Sequence, residues 1–326
     1  MKKLCLIVFA VFVVVVFSGV SSASDGYPTG PVRAFVPTEP GGASDLLVRT
    51  LAPHLGRELG VTVVVENHPG AGNQIGNMAL LAAPADGYTI ALVQQPHTGF
   101  TIAIQDAPYK LSDFAFLNMH QIDPISMVVL PGKPWNNLQD LIDDIKANPG
   151  TIAIGATQMS GGHLFLRYLQ EEYDLRFRWV PYSAGGEGRA AVIGGHIDAW
   201  MGSAFSDFTM RDQLRCIFVG SPERSTLWPD VPTVLEATGN QRLADVASSL
   251  SAFRAIAVSR EFKENHPERF EKLLEAYYRA FHSEEHMADA ERTGMTAIMA
   301  WVGHEEAERL AAAASDTVER FAYLFQ

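Results

Sequence analysis

The feature that most restricts the fold is an alternation of short β-branched runs with segments of helical periodicity. The runs lie at residues 32–36, 61–65, 89–93, 151–155, 179–182 and 216–219. Strands that alternate with helices form parallel sheets, because the chain returns to the same end of the sheet through each helix. The sequence therefore predicts an α/β protein with parallel sheets covered by helices.

Helix-start signals support this interpretation. Asn137 precedes an apolar stripe of helical spacing, and Thr233 with Glu236 forms a capping box. Pro267 stands where a C-terminal helix would begin, and an Ala-rich segment at 304–325 predicts a further helix. The end of the chain is therefore expected to be helical.

Two apolar, strand-like stretches lie about where one half of the sequence passes into the other, at residues 125–130 and 251–258. They are interpreted as a pair of crossover strands. This interpretation predicts two domains: residues 24–124 with 256–326 form the first, and residues 125–255 form the second.

The N-terminus has the pattern of a secretory signal peptide. A short basic start is followed by an apolar run at residues 4–17 and by small residues up to Ala23. The run is shorter than the roughly 20 residues that a membrane-spanning helix needs. Residues 1–23 are therefore predicted to be a cleaved signal peptide, with an uncleaved anchor as the alternative.

Charge and cysteine content exclude some classes of function. Cleavage would remove Lys2 and Lys3 and take the net charge from −12 to −14, so nucleic acid is not expected as a partner. Cys216 would be the one cysteine left after cleavage, so no intrachain disulfide is possible. The fold must then depend on its hydrophobic core.

Three Gly-rich turns, at residues 37–45, 156–163 and 181–188, each follow a predicted strand and precede a predicted helix. Glycine lets backbone N–H groups approach a ligand, and the start of a helix carries partial positive charge. Such turns lie at the carboxyl ends of strands, where open α/β sheets bind ligands. The three turns together predict a site that can hold a carboxylate without Lys or Arg.

An ordered set of motifs extends over nearly the whole chain after residue 23. The motifs are Val36-Pro37-x-x-Pro40-Gly41-Gly42-x-x-Asp45, Val65-Glu66-Asn67-x-Pro69-Gly70-Ala71-Gly72, Pro84-x-Asp86-Gly87-Tyr88-Thr89, Ser160-x-x-His163, Val180-Pro181-Tyr182, Gly194-Gly195-His196-Ile197-Asp198 and Pro229-Asp230-Val231-Pro232-Thr233. In this set the chain resembles the Bug family, the TctC-type binding proteins of tripartite tricarboxylate transporters.

The resemblance implies a periplasmic binding protein of the type II-like two-domain α/β fold. Two sheets covered by helices would be joined by a hinge of two crossover strands, with a ligand cleft between the domains. The protein would close on a small organic acid and deliver it to the membrane permease subunits of a tripartite transporter. The candidate ligand-binding residues are Thr38, Glu39, Gly41, Gly42, Gln95, Thr157, Gln158, Ser160, Gly161, Tyr182, Ser183, Gly185, Gly186, Ser203 and Phe205.

Departures from the family pattern leave the ligand open. Thr157 and Met159 replace usual glycines, which makes the second turn bulkier. Glu39 beside the first turn would repel a dianion unless it faces solvent or pairs with a cationic group of the ligand. A dicarboxylate or tricarboxylate, an aromatic carboxylate and an amino acid all remain candidates.

No catalytic residues, cofactor or metal are predicted. Residues 70–76 have the third glycine of a dinucleotide fingerprint one position late, and residues 282–286 match an inverted zinc-protease pattern only formally, since Ser283 is expected to cap a new helix. The two commonest signatures of exported serine hydrolases, Ser-x-x-Lys and Gly-x-Ser-x-Gly, are missing from the sequence. The alternative to transport is a sensory protein that docks on a membrane receptor when its ligand is bound.

Overall fold

The computed structural model describes residues 26–325, so the predicted signal peptide lies outside the described residues. The strands are β1 (Val32–Val36), β2 (Val63–Asn67), β3 (Thr89–Gln95), β4 (Phe114–Asp123), β5 (Ile125–Val129), β6 (Ala153–Thr157), β7 (Arg178–Tyr182), β8 (Ala199–Ser203), β9 (Arg215–Val219) and β10 (Ala252–Ser259). The helices are α1 (Ala43–Leu59), α2 (Gln74–Ala82), α3 (His97–Ile104), α4 (Leu138–Ala147), α5 (Gly161–Tyr173), α6 (Gly185–Ile193), α7 (Ala204–Phe208), α8 (Val234–Thr238), α9 (Gln241–Ser249), α10 (Arg260–Asn265), α11 (Pro267–His282), α12 (Glu284–Arg292) and α13 (His304–Arg320).

The strands form two five-stranded sheets, and the part of the molecule built on each sheet is called a lobe here. The first-lobe sheet has the order β2-β1-β3-β10-β4, and the second-lobe sheet has the order β7-β6-β8-β5-β9. In the first sheet β1 pairs in parallel with β2 and β3, with Val32 opposite Val63. In the second, β6 pairs in parallel with β7 and β8. The carboxyl ends of these parallel strands carry the predicted turns.

Both sheets are mixed, which corrects the expectation of parallel sheets. β10 is antiparallel to β3 and β4, and β5 is antiparallel to β8 and β9. Each of these two strands enters its sheet directly after the chain has crossed from the other lobe. A strand that arrives without a crossover helix meets its neighbours in the opposite direction.

The two predicted crossover stretches are strands, but they do not pair with each other. Residues 125–129 lie in the second-lobe sheet, and residues 252–259 lie in the first. β10 pairs instead with β3 and with β4, a ten-residue strand that sequence reasoning missed. Buried polar residues such as Asn118 and His120 interrupt its apolar pattern. The division into domains at residues 124 and 256 remains a prediction.

Helices cover both faces of each sheet. In the first lobe α1 and α11 pack on one face, while α2 and α13 pack on the other. In the second lobe α4, α5 and α9 cover one face, and α6 and α7 cover the other. None of the helices in residues 26–325 combines the length and the apolar character that a membrane crossing requires.

The C-terminal helix connects the two lobes. Ala307 and Ala311 of α13 lie in a first-lobe core, whereas Val318 and the following Phe321 lie in a second-lobe core. The chain therefore links the lobes by a third route besides the β4–β5 and α9–β10 connections. Any motion between the lobes must bend or shift this helix.

Candidate functional site

A cleft of about 420 Å³ lies between the lobes, within the volume range of small-molecule sites. The elements that meet there are the ends of β3, β6 and β8 and the starts of α1, α3, α5 and α6. Its lining residues are Gly42, Ala43, Gln94, Pro96, His97, Ile125, Thr157, Ser160, Gly161, Gly162, Gly185, Arg189, Trp200, Met201, Gly202, Ser203, Ser206, Leu250, Ala252 and Arg254. Both lobes and the crossings between them therefore form its walls.

The predicted turns meet at this cleft, although they contribute unequally. The predicted ligand residues that line it are Gly42, Thr157, Ser160, Gly161, Gly185 and Ser203. The predicted residues that lie outside its lining are Thr38, Glu39, Gly41, Gln95, Gln158, Tyr182, Ser183, Gly186 and Phe205. Glu39 is exposed to solvent. Ligand contact by any of these residues remains a prediction.

Asp45 organises the first-lobe turn. Its carboxylate accepts hydrogen bonds from the backbone N–H of Gly41 at 2.8 Å, from Arg49 at 2.9 Å and from the Asn67 side chain at 2.9 Å. Asn67 also donates to the Thr38 carbonyl at 3.0 Å, which connects the turn to the end of β2. Burial opposes ionisation of Asp45, but these hydrogen bonds outweigh it and hold its pKa below the ordinary value.

The second turn is held by Ser160, the N-cap of α5. Its hydroxyl donates to the Thr157 carbonyl at 2.7 Å and accepts the backbone N–H of His163 at 3.2 Å. Gly161 follows, and a Cβ at this position would lie 2.1 Å from the carbonyl oxygen of Leu250. The turn therefore packs directly against the chain segment that crosses back to the first lobe.

His163 has a packing role. Its ring stacks on Trp179 with centroids 4.1 Å apart and meets the edge of Phe325 at 4.7 Å. Burial, with a contribution from the charge of Arg167, lowers its pKa to about 4. The neutral ring accepts the Met159 N–H at 3.3 Å, so it supports the second turn from behind.

The third turn leads into α6 and packs on an indole ring. A Cβ at Gly188 would lie 2.0 Å from two carbon atoms of Trp200, so the helix can approach the ring only without a side chain at that position. Tyr182 meets the same ring edge-on, with centroids 5.8 Å apart. Trp200 is buried and lines the cleft, so this contact shapes the floor of the site.

The helix starts at the cleft make it suitable for an anion. The first N–H groups of an α-helix have no partner within the helix, and the helix dipole gives them partial positive charge. α1, α5 and α6 all begin beside the cleft, at Ala43, Gly161 and Gly185. A carboxylate there would receive main-chain hydrogen bonds from both lobes.

Sequence reasoning missed two cationic residues of the cleft. Arg189 projects from α6 and Arg254 from β10, and both line the cavity. Each faces a buried carboxylate: Arg189 Nη1 lies 3.4 Å from Asp207 Oδ1, and Arg254 Nη1 lies 3.9 Å from Asp123 Oδ2. A single arginine inside the otherwise apolar run at 252–258 was the signal that could have revealed the second pair.

Burial changes the ionisation of these acids. It raises the pKa of Asp207 to about 7, although Ser126 and Arg189 favour the charged form. Burial raises the pKa of Asp123 as well, against the opposing effect of Arg254. His97, also in the lining, has its pKa lowered to about 4 by burial and by the charge of Arg254. Both acids are therefore harder to ionise than exposed carboxyl groups, although each faces a guanidinium group.

Two of the weaker motifs have structural roles. Asp198 accepts the Ala153 N–H at 2.8 Å and binds Lys133 at 2.5 Å, as expected of a residue that ties its loop. Ser283 caps α12 and leaves His282 at the end of α11, as predicted. In the part of the chain that the structure describes, no group of three or more His, Cys, Asp or Glu side chains is placed to hold a metal ion.

Comparison with known proteins agrees with this architecture. Residues 47–282 match the model of the TctC family, described as the tripartite tricarboxylate transporter family receptor. Protein BugT of Bordetella pertussis is 32% identical over 237 residues, which cover 71% of this chain and 73% of that protein.

Solved structures show the same fold. A TctC solute-binding protein from Polaromonas superposes with a TM-score of 0.77 at 23% identity, over 91% of this chain and 99% of that one. MatC from Rhodopseudomonas palustris, solved with bound malate, has a TM-score of 0.71 at 18% identity, over 92% and 100% of the two chains. The resemblance seen in the motifs is thus confirmed: this chain belongs to the TctC family of solute-binding receptors.

Proposed function

We propose that this protein is a periplasmic receptor that captures a small carboxylate-bearing molecule in the cleft and delivers it to a tripartite tricarboxylate-type transporter. The observation that carries the proposal is the cleft itself, where the starts of α1, α5 and α6 meet in one cavity between two lobes. Main-chain donors from both lobes can bind one anion only when the lobes are close. The ligand would therefore stabilise the closed form by its greater affinity for it.

The hydroxyl groups of the cleft support binding without catalysis. Ser160 donates its proton to a backbone carbonyl, and Ser203 is hydrogen-bonded to Ser206 at 3.1 Å. A nucleophilic serine needs a base within hydrogen-bonding distance. His163, the nearest imidazole along the second turn, is occupied by the Met159 N–H and packed against Trp179.

Export and transport are supported by family membership and by the signal-like N-terminus. Malate, which is bound in the solved structure of MatC, carries carboxylates of the kind that main-chain donors at helix starts would hold. Delivery to membrane permease subunits is the role for which the family is named.

The proposal is tested by thermal unfolding of the purified protein, refolded to remove carried-over ligand, against dicarboxylates, tricarboxylates, aromatic acids and amino acids. A ligand at 100 times its Kd should add about 2.7 kcal/mol and raise Tm by several degrees. A receptor should respond to one narrow group of carboxylates. A response to none of the acids would contradict the proposal.

A double variant locates the site on the second turn. Thr157→Ala with Ser160→Ala removes two hydroxyls of the cleft and should weaken the ligand at least tenfold, as measured by calorimetry. Asn137→Ala is the matched control, because it also removes an N-cap, that of α4, at a cost of about 1 kcal/mol. Equal affinities in the double variant and the control would remove the second turn from the site.

A further inference from the structure

The cleft has a guanidinium group from each lobe. Arg189 belongs to second-lobe α6, whereas Arg254 belongs to first-lobe β10. Both line the same cavity as the helix starts. A site that held one carboxylate by main-chain donors alone would not need an arginine on each wall.

The polar groups beside these arginines are buried and incompletely paired. Arg254 is 7% exposed, and its Nε has no hydrogen-bond partner. Trp200 Nε1 likewise has no hydrogen-bond partner, in a residue that is 1% exposed, whereas the buried Asp123 Oδ2 faces Arg254 Nη1 at 3.9 Å. Buried polar atoms are nearly always hydrogen-bonded, so unpaired donors beside a cavity indicate a missing acceptor.

The hydrogen bonds of the two guanidinium groups do not use all of their N–H donors. Arg254 donates to Gln121 at 3.3 Å, and Arg189 donates to Asp207 at 3.4 Å. A guanidinium group has five N–H donors in a planar arrangement that suits a carboxylate. Each arginine can therefore receive an anionic group of the ligand while keeping its aspartate.

The aspartates are poor receptors for an ammonium group. Asp207 already accepts from Ser126 at 2.7 Å and from Arg189, and Asp123 accepts the Phe205 N–H at 2.9 Å. Their raised pKa values show that burial disfavours their charged forms. The two guanidinium groups in the lining therefore favour an anionic ligand over a zwitterion.

We propose that Arg189 and Arg254 are specificity-determining residues that bind the two anionic ends of one dicarboxylate, one end on each lobe. This inference depends on the proposed function and narrows its ligand to molecules with two acidic groups. A dianion would connect the lobes through charge-assisted hydrogen bonds in addition to the helix starts. A monocarboxylate of the same length would engage only one of the two arginines.

The test is isothermal titration calorimetry of the refolded protein with straight-chain dicarboxylates of four to nine carbons. Each is paired with the monocarboxylate of equal length, and aspartate and glutamate complete the panel. We expect one dicarboxylate to bind at least tenfold more tightly than its monocarboxylate partner. A monocarboxylate or an amino acid as the tightest ligand would overturn the inference.

Arginine variants separate this inference from the proposed function. Arg189→Gln and Arg254→Gln should each weaken the best dicarboxylate at least tenfold, and Arg178→Gln on the exposed side of β7 is the matched control. Arg254→Lys keeps the charge if the glutamine variant fails to fold, and it should still bind more weakly because it loses the planar donors. If the wild type binds a carboxylate and the variants bind it equally well, only the present inference fails. If the wild type binds no carboxylate, the proposed function fails with it.

Discussion

The two sides of the cleft hold their turns by different physical means. The first-lobe turn is fixed by a polar network in which Asp45 binds Arg49 and Asn67. The second-lobe turns are fixed by close contacts with buried groups, such as Gly188 on Trp200 and Gly161 on Leu250. Close packing tolerates little displacement, whereas hydrogen bonds to a partly exposed group such as Arg49 can lengthen or exchange with water.

This difference suggests separate roles for the lobes during binding. The second lobe supplies β6, β8, α5 and α6 to the cavity, and its walls are set by packing before any ligand arrives. The first lobe adds the start of α1 from a turn that is held by hydrogen bonds to Asp45. We expect the ligand to engage the second lobe first and the first lobe to close over it.

The largest loss of stability is expected from a substitution where the second-lobe packing is tightest. Gly188→Ala would place a methyl group within the Trp200 ring, and overpacking of this kind destabilises by about 3 kcal/mol. Tm should fall by about 5 °C, and ligand affinity should fall because Trp200 lines the cleft.

Gly186→Ala on the same helix is the matched control. A Cβ there meets no heavy atom within 4 Å, and alanine is the better helix former by about 0.5–1 kcal/mol. Its Tm should be unchanged or slightly higher by differential scanning calorimetry. A similar loss of Tm in both variants would show that close packing does not define the second-lobe side.

A smaller loss of stability is expected from a substitution in the first-lobe turn. Asp45→Ala removes a buried charged acceptor of the turn and should destabilise by about 2 kcal/mol, since hydrogen bonds to charged groups are worth about 1.5–3 kcal/mol. Urea unfolding measures the change. Glu39→Gln in the same turn is exposed and should alter stability by less than about 0.5 kcal/mol. If Asp45→Ala lowers the free energy of unfolding no more than Glu39→Gln does, the polar network is not what fixes the turn.

The smallest expected effect is the pH dependence of binding. The pKa of Asp207 in the fold is about 7, above the ordinary carboxyl value of about 3.9, so the carboxyl binds a proton that the unfolded chain has lost. Its contribution to stability is present below about pH 4 and is lost as pH rises toward 7. An anion bound at Arg189 would raise this pKa further, and binding would take up protons.

A rise of about one pKa unit on binding would weaken the ligand about fivefold between pH 6 and pH 8. Titrations at both pH values, in buffers of different ionisation enthalpy, measure the affinity and the proton uptake together. Asp207→Asn should remove most of this dependence. Tighter binding at pH 8 than at pH 6 would show that Asp207 does not respond to the ligand.

Much of the fold followed from local sequence signals. The β-branched runs became strands within about two residues of their predicted bounds, and the caps at Asn137, Thr233 and Ser283 form the expected hydrogen bonds. β4 was not predicted because its buried polar side chains bind partners that lie far along the chain. His120, for example, bonds the Tyr277 hydroxyl at 2.7 Å. Local periodicity does not indicate such distant partners.

The sequence by itself determined the family, the α/β class and the turns that meet at the cleft. The family followed from the ordered set of motifs, and the α/β class and the turns followed from local properties, namely hydrophobic periodicity, glycine positions and cap residues. Tertiary structure alone decided that Arg189 and Arg254, 65 positions apart, line one cavity beside buried aspartates. The reason is that burial and the distances between charges arise only when the two lobes fold and meet, and these set the ionisation of the site.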